Sequence, residues 1–210
     1  FPSFARLQEE KNMLANALEK TIFAISFLIF PSLAGLVILF PYFLNIIPKY
    51  SKWEPALLSL TFFAVNAAFS SVSTPLTNIL NATGRIRITL FLMIFWTLST
   101  WILTILGVFY FGFNAVAMVS AAVSISAILV VVIVRKYIDF NIFKAIFHPF
   151  IATLVMSLIL YPLSSIFVKD ILSLILTIFI GGVVYFLVIF TLARRQIMAD
   201  IKMIKDNLKR

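Results

Sequence analysis

Seven amide and hydroxyl side chains crowd one stretch of an otherwise hydrocarbon-rich chain: Asn66, Ser70, Ser73, Thr74, Thr77, Asn78 and Asn81. Such groups donate and accept hydrogen bonds without carrying charge. Along a path through an apolar medium they could hold water or the hydroxyls of a sugar. On a helix turning about 100° per residue, Asn66, Ser70, Ser73, Thr74, Thr77 and Asn81 fall within one arc of about 100°. Ala68, Phe69, Val72, Leu76 and Ile79 fall on the other side. Asn side chains are costly against lipid, so the stripe must face protein or water. Two readings stay open. Ser, Thr and Asn commonly join membrane helices to one another, or the stripe is one wall of a hydrated cavity. Pro75, within the stripe, removes a backbone donor and makes a kink or hinge plausible.

The stripe closes on Gly84, Arg85 and Arg87. One reading is a helix cap followed by a basic anchor at the membrane face. The other is a phosphate contact at the mouth of the cavity, through Arg85 and Arg87. Asn81-Ala82-Thr83 also fits a glycosylation acceptor pattern, but it falls at the cytoplasmic end of the topology derived below and is set aside.

Other chemistries find few residues. The chain has no cysteine, which excludes disulfides, Cys-based metal sites and thiol nucleophiles. Its single histidine, His148, precedes Pro149 at a membrane boundary, where it reads as a loop or cap residue. Glu54, Asp139 and Asp170 are isolated, with no paired-acid arrangement for catalysis. No catalytic residue, metal or cofactor is expected. Proton or sodium coupling usually marks itself with a carboxylate inside the membrane, and no membrane-spanning stretch here carries one.

The elements that position the stripe follow from composition. Of 210 residues, 62% are hydrophobic and 12% charged, with 23 Phe. The mean hydropathy is +1.10. A soluble domain carries about 25% charged residues, so this chain must be an integral membrane protein. A membrane-crossing helix needs about 20 mostly apolar residues. Six stretches qualify, at 21–40, 56–80, 88–106, 113–134, 150–168 and 171–193, and none contains Asp, Glu, Lys, Arg or His. Each break has a local cause. Pro41, Pro48 and Pro55 with Lys49, Lys52 and Glu54 make the first. Gly84 and its arginines make the second, and the turn between Gly107 and Gly112 the third. Arg135, Lys136, Asp139 and Lys144 make the fourth, and Lys169-Asp170 the fifth. Backbone groups in lipid must bond internally, so the spans are helices. The fold class is all-α, an integral membrane bundle of six transmembrane helices.

Placing both ends of the segment in the cytoplasm puts every one of the 17 basic residues inside except Lys49, Lys52 and Lys169. The positive-inside rule selects that orientation. The net charge of +9 is thus a topology signal, and the scatter of basic residues gives no support to a nucleic-acid partner. Tyr42, Tyr50 and Trp53 form an aromatic belt at the outer face. Pro31 and Gly35 in the first span suggest either a kinked, mobile helix or ordinary packing.

Three regions result: a cytoplasmic or interfacial segment at 1–20, a six-helix lobe at 21–193, and a basic tail at 194–210. Leu7, Leu14 and Leu18 suggest an interfacial helix in the first, with Glu9, Glu10 and Lys11 toward water. In the tail, Ile197, Ile201, Ile204 and Leu208 make an apolar stripe among Arg194, Arg195, Lys202, Lys205 and Lys209. That reads as a helix continuing from the last span along an anionic membrane surface. A chain that starts FPSFARLQ, without Met, reads as part of something already under way.

Several runs resemble polysaccharide flippases of the MATE-like (MOP) superfamily. FPSFARLQ at 1–8 is similar to that family's FP-x-x-(S/A)-R-L. Phe30-Pro31 with the following LAGLVILFPYFLNII resembles its next helix, and KYSKWEPALLSL its KY-x-x-A-x-x-x-L. STPLTNILNATGRIR at 73–87 is similar to NSPLSNVLLA-x-G-(K/R), and NAVAMVSA after Phe113 to G-x-x-G-A-A-x-A. Asn114, Val116 and Pro48 depart from the family pattern. The resemblance implies one lobe, the C-terminal one, of a two-lobed transporter that flips polyprenyl-diphosphate-linked oligosaccharides by alternating access in the cytoplasmic membrane. The implied partners are that lipid-linked saccharide, membrane lipids and an N-terminal lobe of the same chain. The stripe residues carry over as general cavity candidates, and Arg85 matches the family's basic position after Gly. The alternatives are an ion-coupled drug or cation antiporter of the same fold, a membrane-embedded glycosyltransferase, and a membrane scaffold without transport.

Overall fold

Proline, glycine and short charged runs set where each helix stops. The computed structural model describes the backbone of residues 11–207 and the side chains of residues 12–193. Seven α-helices follow in order: α1 (Lys11–Ile46), α2 (Leu57–Ala82), α3 (Ile86–Phe111), α4 (Ala115–Ser124), α5 (Ala127–Arg135), α6 (Ile142–Phe167) and α7 (Ile171–Asn207). Two 3₁₀ turns, Pro48–Ala56 and Gly112–Asn114, join α1 to α2 and α3 to α4. No strand occurs among the described residues. The chain is a multi-pass membrane protein built of helices.

Among the described residues five stretches are long and apolar enough to cross a membrane, and the third, Ile86–Arg135, runs to 50 residues. That stretch folds back on itself. Gly112 takes φ +58, a left-handed conformation open to glycine. Beyond it α4 lies against α3, where a Cβ on Gly107 would sit 3.2 Å from the Ala115 Cβ. α4 and α5 form one rod, tightened at Ile125 and Ser126 by bonds to the carbonyls three residues back. The long stretch is therefore an antiparallel pair, and the expected six passes result.

Boundaries differ from expectation at several places. Pro41, expected to help end the first span, lies inside α1, which runs on to Ile46, and the turn expected between Gly107 and Gly112 is helical as far as Phe111. α1 has no break at Thr21, whose hydroxyl bonds back to the Ala17 carbonyl at 2.8 Å. Its 36 residues span about 54 Å, against about 30 Å of hydrocarbon. The part of residues 1–20 that is described is therefore the start of the first spanning helix. Leu14 and Leu18, expected to lie against the membrane surface, are 1% and 0% exposed and pack in the protein core. Leu7, Glu9, Glu10 and the FPSFARLQ run lie outside the described residues. α6 begins at Ile142 rather than Phe150, because Asn141 caps it by accepting the Lys144 N–H at 3.2 Å. His148 and Pro149 thereby fall inside that helix. α7 kinks at Ala193, where φ is −108°. Its backbone stays helical to Asn207, as expected for a helical continuation, but the tail's apolar and basic side chains lie outside the described residues.

Around α1 and α2 the bundle packs in the order α7, α6, α1, α2, α4–α5, α3. Leu14, Leu18 and Ile22 of α1 meet Leu76, Ile79 and Leu80 of α2 and Val130 and Val134 of α5 in one core. Phe23, Met156, Leu160, Tyr185 and Ile189 make a second between α1, α6 and α7. α3 stands at the edge with most side chains outward, Phe91, Trp101, Phe109 and Tyr110 among them. One end of the bundle gathers Glu19, Arg85, Arg135 and Lys144. There Glu19 accepts the Asn141 N–H at 2.8 Å and meets Lys144 at 3.7 Å, tying α1 to the start of α6.

Candidate functional site: a polar seam on α2

The Ser- and Thr-rich face of α2 turns toward α3 and α4. Asn66 donates from Nδ2 to the Ser120 carbonyl of α4 at 2.8 Å. Ser70 donates to Asn66 Oδ1 at 3.4 Å. Further along, hydroxyls turn back on their own helix: Ser73 and Thr74 donate to the Ser70 carbonyl, and Thr77 to the Thr74 carbonyl. This back-bonding satisfies hydroxyls inside a membrane helix and tends to bend it. Pro75 withdraws one N–H from the ladder.

Asn66, Ser70 and Ser73 enclose a cavity of about 190 Å³ with Trp96 and Thr100 of α3 and Ser120, Val123 and Ser124 of α4. It is polar and has room for several waters. Ligand pockets for larger molecules start near about 300 Å³, so an oligosaccharide does not fit within it. Helix packing describes the hydrogen bonds of Asn66, while Ser70 and Ser73 border a small polar space. The other stripe residues are not in this wall. Thr74 is exposed, Thr77 is buried, and Asn78 and Asn81 are half-buried. The Asn81 Oδ1 atom is itself buried and finds no partner among the described residues.

Gly84, with φ +76, ends α2. The Arg85 N–H reaches the Leu80 carbonyl at 2.8 Å and the Gly84 N–H the Asn81 carbonyl at 3.2 Å. This paired closure, with its left-handed residue, is a Schellman cap. Arg85 then places its guanidinium 3.7 Å above the Tyr137 ring, on the α5–α6 connection. Such a cation–π contact fixes a cation while leaving N–H edges free. Arg87 is exposed. His148, expected in a loop or cap, sits in the second turn of α6, and its buried Nδ1 has no partner among the described residues. No group of His, Asp and Glu that could hold a metal occurs among the described residues.

Sequence reasoning missed the opposing wall. Ser120 and Ser124 share a helix face at i and i+4, a signal that was available. Trp96 and Thr100 have the same spacing, but they stand in an apolar span that gave no reason to single them out. Another missed contact is Tyr185, whose hydroxyl reaches the Phe27 carbonyl of α1 at 2.7 Å.

Six antiparallel passes pack around two central helices, with a charge-free polar seam between α2, α3 and α4. The structure matches "Lipid II flippase MurJ, inward closed conformation" over 92% of the chain, with a TM-score of 0.78 at 18% identity. The flippase resemblance read from the sequence is thus met at the level of the fold. A relative in sequence is an "Uncharacterized membrane protein in cps region" of Klebsiella pneumoniae, 27% identical over 96% of this chain. The chain spans 42% of the length of each of these proteins. No protein-family model matches it.

Proposed function

We propose that this chain is one lobe of a transporter that flips a polyprenyl-diphosphate-linked oligosaccharide across the cytoplasmic membrane by alternating access. The observation that carries the reading is the fold shared with a lipid II flippase over nearly the whole chain. Among the described residues the carboxylate of α1, Glu19, stands at the end of the bundle, and between the ends the spans carry amides and hydroxyls without a carboxylate, which suits a neutral sugar better than a cation. Both ends of the segment lie in the cytoplasm, because that orientation leaves Arg85, Arg87, Arg135, Lys136 and Lys144 inside. The protein acts as a transporter and not as an enzyme, and a second lobe completes the path.

Within this reading the stripe divides its work. Asn66, Ser70 and Ser73 keep a hydrated seam between α2, α3 and α4, while Thr77 bonds back within α2. Thr74, Asn78 and Asn81 offer hydrogen bonds to the saccharide. Arg85 and Arg87 meet the diphosphate at the cytoplasmic mouth.

The test is flipping of a fluorescent polyprenyl-diphosphate saccharide by the full-length protein in proteoliposomes. Movement of the label to the protected leaflet, reduced by Asn78→Leu with Asn81→Leu at unchanged expression, is the expected result. Full flipping in that double variant would remove both residues from the path. Transport of a cationic dye in exchange for protons or sodium, with no lipid movement, would replace the reading with an antiporter.

A further inference from the structure

Among the described residues five prolines lie inside α-helices: Pro31 and Pro41 in α1, Pro75 in α2, Pro149 and Pro162 in α6. Each lacks the N–H that would bond the carbonyl four residues earlier, and its ring pushes that carbonyl aside. For Pro31 that carbonyl belongs to Phe27, the group to which the Tyr185 hydroxyl of α7 donates at 2.7 Å. Among the described residues, none of the carbonyls freed by the other four prolines receives a side chain from another helix. Tyr185 is 3% exposed, and its ring packs against Phe27 at 5.6 Å between centroids, so its hydroxyl is aimed and held. One residue on, Ser32 donates to the Leu28 carbonyl at 2.7 Å, and one turn on, Gly35 leaves the helix without a side chain.

Beside this point lies an apolar cleft of about 570 Å³, lined by Pro31, Gly35 and Leu39 of α1 and by Ile178, Gly182 and Tyr185 of α7, among others. A Cβ added at Gly35 or Gly182 would meet nothing within 4 Å. The half of α1 beyond the proline therefore has space on its α7 side, and the bond at its base comes from α7 itself.

We propose that Tyr185 is a latch on a hinge in α1. Its hydroxyl takes the place of the backbone donor that Pro31 lacks, and its release frees residues 31–46 to tilt toward α7 into the cleft. The positions of α7 and of the far half of α1 are thereby coupled through one hydrogen bond. A proline kink of about 20° on an arm of 16 residues, about 24 Å long, moves the tip by about 8 Å.

The experiment uses the full-length protein in lipid nanodiscs, spin-labelled at Asn45, near the tip of α1, and at Lys169, before α7. Both positions are exposed. The parent should give one main distance. Tyr185→Phe, which removes only the hydroxyl, should add a population shorter by about 8 Å. Pro31→Ala returns the missing N–H to the helix, so Tyr185→Phe in that background should leave the distance unchanged. An unshifted distribution for Tyr185→Phe alone overturns the latch. So does an equal shift with Pro31 and with Ala at that position, since the tyrosine would then act by packing and not by completing the proline's missing bond.

Discussion

Trp96 and Ser126 are separated by 30 residues in sequence and by 2.8 Å in space, the indole N–H donating to the serine hydroxyl. In a straight helix 30 residues would stand about 45 Å apart. This single bond is evidence that the longest apolar stretch is two passes. Ser126 can accept because its own proton goes to the Val123 carbonyl at 2.6 Å, in the tightened turn between α4 and α5. Trp96→Phe and Ser126→Ala should each lower the thermal stability of the purified protein in detergent. Combined, they should lose less than the sum, with a coupling of about 0.6–1 kcal/mol. Strict additivity would mean that the bond is not made in solution.

Gly84 supplies the left-handed residue of the α2 cap. Gly84→Ala forces a Cβ into that conformation and should cost about 1–2 kcal/mol. Gly84→Asn should cost less, because Asn tolerates the left-handed region. Melting temperatures in the order Gly, Asn, Ala check this.

Gly181 lets α7 approach α6. A Cβ there would lie 2.8 Å from Leu160 Cδ1, and Leu160 is itself only 2% exposed. Gly181→Ala should destabilise the lobe by about 1–3 kcal/mol through overpacking. Adding Leu160→Ala should recover part of that loss. A neutral Gly181→Ala, read by the same unfolding assay, would show that the two helices can separate at no cost.

Asp170 caps α7. Its Oδ1 accepts the Ser173 N–H at 2.8 Å, and the Ser173 hydroxyl accepts the N–H groups of Lys169 and Asp170 at 3.0 Å. The Ser173 backbone bond, first among the causes, holds the Asp170 pKa below its ordinary 3.8. A depressed carboxyl stabilises the fold at pH values above 3.8, and that contribution fades as pH falls through the lower folded value. Asp170→Asn should therefore be less stable than the parent at pH 6, with the difference shrinking between pH 4 and pH 3. Melting curves across that range decide it. A difference that stays constant with pH would exclude the charge as its source.

Local composition settled a great deal. An apolar run of about 20 residues must be helical in lipid, and Pro48, Gly84, Gly112 and Lys169-Asp170 each stop a helix by a property of the residue itself. The number of passes, the polar arc on α2 and the flippase resemblance all follow from such near-neighbour facts. What local composition could not settle was which face meets which helix. Lipid tails and a protein interior are equally apolar, so Leu14 and Leu18, which are buried, look like Leu90 and Leu98, which are exposed. For the same reason nothing in span 88–106 marked Trp96 and Thr100 as the far wall of the polar seam. Nor did anything tie Tyr185 to Phe27, 158 residues away. Those pairings depend on how the helices cross, and only the tertiary structure brings their residues together.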